Sequence, residues 1–250
     1  MYSVTQRIRQ VKQPFGGYIN PKEFTVIHME DSIYIEPEEN IHSSLVGMAV
    51  DYLTRYTIGT PKNEAFDIAI LGSSLVKEEK YAEELLSGIV GLDDKSIINA
   101  CKLVGYDVCV RAGLIGYRPV QKINPDADTV LNVKTMVNRS LNFINEFGPI
   151  IKDSFTFEGG YTNIISSGDG DFLTESTLWD FKVSKNAPTK VHTLQLLTYY
   201  LLGKHSIHEE FINIEKLGIF NPRLNNIYLL DLSKVSQITQ GLVSTEVIGY

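Results

Sequence analysis

The period of the apolar residues changes twice between residues 170 and 203, and that stretch organises the reading of the whole chain. Leu178, Asp180 and Lys182 alternate with Trp179, Phe181 and Val183, a period of two that predicts a strand with the triplets on opposite faces. The large apolar triplet is expected to pack inward, leaving Asp180 and Lys182 side by side on the polar face. Residues 170–173 read as a preceding strand, and Thr174, Glu175 and Ser176 are few and polar enough to turn a hairpin between the two. From Thr189, a suitable N-cap, the spacing of Val191, Leu194, Leu197, Leu201 and Leu202 becomes helical, with Gly203 placed to stop the helix.

The same reading divides the chain into three parts. Residues 1–40 are expected to form an extended, partly β N-terminal arm, with turns at 14–17 and 36–37. Residues 41–147 read as mainly helical, with an amphipathic helix over 43–56 and further helices over 78–90, 94–106 and 129–147, the last ended by Gly148-Pro149. Residues 148–250 carry the strands, including 155–158, 211–220 and 227–232, the helix from Thr189, and a closing helix. The expectation is a single α/β domain spanning 1–250, in which a helical insertion precedes a catalytic α/β core over 148–250.

Asp180 and Lys182 on an otherwise apolar strand are costly unless used. With Asp171 on the neighbouring strand they suit phosphodiester hydrolysis. Two carboxylates hold Mg²⁺, a hard cation that keeps several waters, and a lysine orients the nucleophile or offsets charge on the phosphate. Gln195 and Tyr199, four apart, share one face of the following helix.

Gly168-Asp169-Gly170-Asp171, Asp180-Phe181-Lys182 and Gln195-Leu196-Leu197-Thr198-Tyr199 occur in the order and spacing of the Gly-x-x-Asp, Asp/Glu-x-Lys and Gln-x-x-x-Tyr motifs. In these residues the chain resembles the RecB-like branch of the PD-(D/E)XK nuclease superfamily. The resemblance implies a core with a central mixed β-sheet flanked by helices, and a Mg²⁺- or Mn²⁺-dependent deoxyribonuclease. It implies Asp171, Asp180 and Lys182 as catalytic residues and Asp171, Asp180 and the main-chain carbonyl of Phe181 as metal ligands. Gln195 and Tyr199 would touch the nucleic acid, joined by Lys185 near the site. That branch also uses a histidine on an early helix, in a Gly-x-x-x-His pattern. Here Gly47-Met48-Ala49-Val50-Asp51 places Asp51 where the histidine is usual, and Glu64, Glu146 and Glu158 compete for the same role. Repair, recombination and defence against phage all fit such chemistry.

Plainer readings exist for the same residues. Asp169-Gly170-Asp171 is turn-like in composition, Asp180 and Lys182 would suit a solvated strand face, and Asp51 would suit an exposed pair with Arg55. A calcium loop from Asp169 is excluded, because Leu173 and Thr174 occupy positions that need an oxygen ligand and a glycine. A carboxylate-pair glycosidase using Glu158 and Asp171 accounts for neither Lys182 nor the Gln-Tyr helix. The alternative of a different class is a catalytically inactive nucleic-acid-binding or scaffold subunit with the same fold.

Composition narrows the picture slightly. The chain is 43% hydrophobic, enough for a large core, and has no apolar run long enough to span a membrane and no apolar leader, so a cytoplasmic protein without a membrane partner is expected. Cys101 and Cys109 are spaced for neither zinc nor a redox pair. A net charge of −7 argues against a basic nucleic-acid coat. Lys182, Lys185, Lys190 and Arg223 would supply positive potential locally, and a protein partner or a homo-oligomer would supply further DNA contacts.

Overall fold

The computed structural model describes residues 1–250. In chain order the elements are β1 (Tyr2–Ser3), α1 (Val4–Gln10), β2 (Thr25–His28), α2 (Ser43–Thr57), α3 (Lys62–Ala65), α4 (Asp67–Leu75), α5 (Glu79–Ser87), α6 (Asp94–Leu103), α7 (Asp107–Arg111) and α8 (Ala127–Phe147). There follow β3 (Lys152–Thr156), β4 (Ile165–Ser167), β5 (Asp169–Leu173), β6 (Thr177–Phe181), α9 (Lys190–Lys204), β7 (Lys216–Asn221), β8 (Asn226–Asp231) and α10 (Gln237–Leu242). They group into two compact units, one of residues 1–30 with 143–250 and one of residues 31–142.

The first unit is an α/β structure built on a six-stranded mixed sheet of order β2-β8-β7-β6-β5-β3. Only β6 and β7 run parallel; every other neighbouring pair is antiparallel. Parallel neighbours need a crossover, and α9 supplies it. Both faces of the sheet are covered. On one, Leu178, Leu217, Ile219 and Leu230 pack with Leu194, Leu197 and Leu201 of α9, with Val4 and Ile8 of α1, and with Val243 and Val247 near the C-terminus. On the other, Phe143 stacks on Phe220 at 4.2 Å between ring centres and meets Trp179 edge-on at 4.8 Å. Each such ring contributes roughly 1.5–3 kcal/mol by leaving water. The close fit around Trp179 explains Gly218, its register partner on β7, where an added Cβ would sit 2.2 Å from the indole.

Four expectations are corrected here. The face of β6 that carries Asp180 is not a solvated polar face: Leu178 and Asp180 lie under α9, and Asp180 is 1% exposed. Gly203 does not stop α9, which runs one residue further and caps at His205. Gly203 is instead required by packing, since a Cβ there would meet the Phe211 ring at 2.1 Å. The N-terminal 30 residues are not merely an arm: they supply edge strand β2 and helix α1, whose N-terminus is closed by a reciprocal Ser3–Gln6 capping box. Residues 211–213, read as the start of a strand, belong instead to a 3₁₀ turn over Glu209–Asn213 that precedes β7.

The second unit is helical. Tyr52 of α2 meets Phe66 edge-on at 5.4 Å and donates its hydroxyl to the fully buried Asp107 at the start of α7. The Arg111 guanidinium reaches the same carboxylate oxygen at 3.4 Å, and the other oxygen has no partner. Burial pushes the Asp107 carboxyl up to about 6, against the opposing pull of the Tyr52 hydroxyl and Arg111. The two cysteines are buried free thiols. No helix of the chain is long and apolar enough to cross a membrane.

Candidate active site on strands β5 and β6

The β5–β6 hairpin pairs Leu173 with Leu178 and Phe172 with Trp179. Continuing that register sets Asp171 opposite Asp180, with both side chains on the face toward α9. The ladder itself stops short of them. The Phe181 N–H turns to the Asp171 carboxylate instead, donating to Oδ2 at 2.6 Å. Asp171 is thereby held against the Asp180–Phe181 peptide. At the start of β5, the Tyr161 hydroxyl accepts from the Phe157 N–H and donates to the Gly168 carbonyl, fixing the strand's entry.

Asp180 is the most confined charge of the set. Its Oδ1 accepts from the Lys182 ammonium at 2.9 Å, while its Oδ2 is buried and has no hydrogen-bond partner. The Lys182 side chain is 27% exposed, so the pair runs from the interior toward solvent. Its main chain is held by β7, the Lys182 N–H donating to the Phe220 carbonyl at 2.9 Å. Beyond it, the buried Asn221 side chain donates to the Ser184 carbonyl at 2.8 Å and accepts from the N–H groups of Arg223 and Leu224, tying the segment after β6 to the β7–β8 turn. A buried carboxylate with an orphaned oxygen costs stability unless something occupies it.

Helix α9 packs on β6 and β7 and brings its own stripe to the carboxylates. The Gln195 amide donates to the Tyr199 hydroxyl at 2.8 Å, and both side chains are buried. Burial raises the Tyr199 phenol, and the charges of Asp180 and Asp171 raise it further. The hydroxyl therefore stays protonated beside two carboxylates. Sequence reasoning missed His192, one turn earlier on the same stripe. Its Nδ1 accepts the Thr189 N–H at 3.1 Å. Burial holds its pKa below the ordinary histidine value, with the Lys182 charge adding to the effect and Asp180 opposing it. The spacing 192, 195, 199 was the available signal.

Of the remaining candidates, Lys185 is exposed in the segment after β6. Asp51 lies half-buried on α2 in the helical unit, where its charge raises Asp107. Glu64 on α3, Glu146 in the last turn of α8 and Glu158 just after β3 are all exposed. No group of three or more His, Cys, Asp and Glu side chains converges in a metal-holding arrangement. Within the sheet unit, the protein donors brought together are thus the Asp171 and Asp180 carboxylates and the main chain between them.

Compared with protein-family models, curated proteins and solved structures, the chain matches none.

Proposed function

We propose that the chain is a metal-dependent nuclease with a PD-(D/E)XK core, hydrolysing phosphodiester bonds of DNA in the cytoplasm. The observation that carries the reading is Asp180: a carboxylate 1% exposed, one oxygen paired with Lys182, the other orphaned, and Asp171 opposite it on the adjoining strand. An orphaned buried oxygen is the donor a cation would satisfy. All-oxygen donors fit Mg²⁺ or Mn²⁺, and two carboxylates with the Phe181 carbonyl leave room for the waters such ions keep. When bound, the ion supplies Lewis-acid polarisation of the phosphate and a water of lowered pKa.

The protein's own groups account for the rest. Asp171 and Asp180 would hold the cation, and the bond from the Phe181 N–H fixes Asp171 in place for that task. Lys182, running from buried Asp180 to solvent, would orient the attacking water and offset charge on the phosphate. Tyr199, kept protonated and oriented by Gln195, would donate to a non-bridging oxygen. Lys185 and Lys190, both exposed beyond β6, would meet the backbone phosphates.

The test is cleavage of linear, circular and single-stranded DNA by wild type and Asp180→Ala in Mg²⁺, Mn²⁺ or EDTA. Metal-dependent products absent from the variant are expected. Equal cleavage by the two proteins, or none by wild type with any metal, overturns the reading.

A further inference from the structure

His192 occupies the third helical position of α9, where glutamate or glutamine ordinarily reaches back to the N-cap N–H. An imidazole is the unusual choice, and it differs by having a second nitrogen. Because a main-chain N–H can only donate, the bond from Thr189 fixes His192 Nδ1 as the acceptor. The neutral ring must then carry its proton on Nε2. Half-buried beside the Lys182 ammonium, the ring is held in this uncharged form.

The helix determines where this side chain belongs. Residues 192, 195 and 199 share one face of the helix, since seven residues return to within about 20° of the starting angle and three to within about 60°. Tyr199 at one end feels Asp171 and Asp180, and His192 at the other feels Lys182 and Asp180. The stripe therefore runs along the β5–β6 carboxylates, and His192 stands at its Lys182 end.

We propose that His192 is a substrate-binding residue that donates its Nε2–H to a phosphate oxygen of the nucleic acid, with Nδ1 anchored to the helix cap. A neutral donor binds a phosphate without adding a cation that would compete with the metal for the carboxylates. The inference rests on the nuclease reading. It goes beyond that reading by assigning a residue from none of the three motifs.

The experiment measures binding of a short single-stranded oligodeoxynucleotide in Ca²⁺ by wild type, His192→Ala and His192→Gln, with circular dichroism to confirm the fold. Nitrogen-15 NMR of the wild-type ring reports the tautomer. Glutamine keeps both a cap acceptor and a donor, whereas alanine keeps neither. The expected result is an affinity loss of about tenfold in His192→Ala, the worth of one hydrogen bond to a charged group. His192→Gln should restore most of it, and the NMR should show Nε2 protonated and shifted on adding oligonucleotide. Folded His192→Ala binding as wild type, or a proton on Nδ1, overturns the assignment while wild-type cleavage still upholds the nuclease. A wild type that neither binds nor cleaves overturns both.

Discussion

Asp180 in the sheet unit and Asp107 in the helical unit are both buried carboxylates paired with a more exposed cation, and each keeps one oxygen without a partner. Burial and pairing alone would rank them together. What separates them is the neighbour. Asp107 receives a tyrosine hydroxyl and lies among helices, so its ring of partners serves the packing of α2 against α7. Asp180 faces a second carboxylate across a hairpin, and no packing need explains two acids set opposite each other under a helix. A buried acid is a weak sign of function, and a buried acid beside another is a much stronger one.

The largest expected effect exchanges these roles. Asp180→Asn should lower metal-dependent cleavage on the order of a thousandfold while leaving thermal stability without metal equal or higher, since it removes a buried charge with one orphaned oxygen and leaves the partly exposed Lys182 to solvent. Parallel assays of cleavage and melting check both halves, and a large fall in melting temperature would return Asp180 to the structural class. Lys182→Ala should cost on the order of a hundredfold in rate with little change in binding of oligonucleotide in Ca²⁺. Rates near wild type would remove the lysine from the site.

The Asp107 side of the comparison is a matter of pH. Its carboxyl lies at about 6 in the fold against an ordinary aspartate value of 3.8, so the native state holds the proton more tightly than the unfolded state. The contribution is therefore fully present below about pH 4 and is lost as pH rises through about 6, by up to about 3 kcal/mol. Asp107→Asn should flatten this slope in denaturant unfolding between pH 4 and 6 and leave cleavage unchanged. A variant that loses cleavage would show that the two carboxylates are not separable in this way. The smallest effect belongs to Tyr199→Phe, expected to cost about five- to tenfold in cleavage, read at saturating metal.

The hairpin and helix around the site were legible because local rules decide them: a period-two run, a three-residue turn, and Thr189 followed by helical spacing. Strand β2 was not. Thr25–His28 has ordinary composition, and its place at the sheet edge depends on pairing with β8 some two hundred residues away. Helix α1 was legible but overlooked, since Ser3 and Gln6 spell a capping box. Gly203 was misread because a glycine near a helix end suggests a cap, whereas what demands it is the Phe211 ring, which no local pattern announces. Asp171 and Asp180 could be named from spacing. Their enclosure under α9, and the third member of its stripe, required the fold.

The order of strands also bears on when the site comes into being. Residues 31–142 are one continuous segment and can condense as soon as they leave the ribosome. The sheet unit has to wait, because β2 comes from the first thirty residues and its partner β8 ends at Asp231. A nascent chain halted after Lys182 already contains both aspartates and the lysine, yet lacks α9, β7 and β8. During translation Asp171, Asp180 and Lys182 are thus present well before the helix and strands that enclose them.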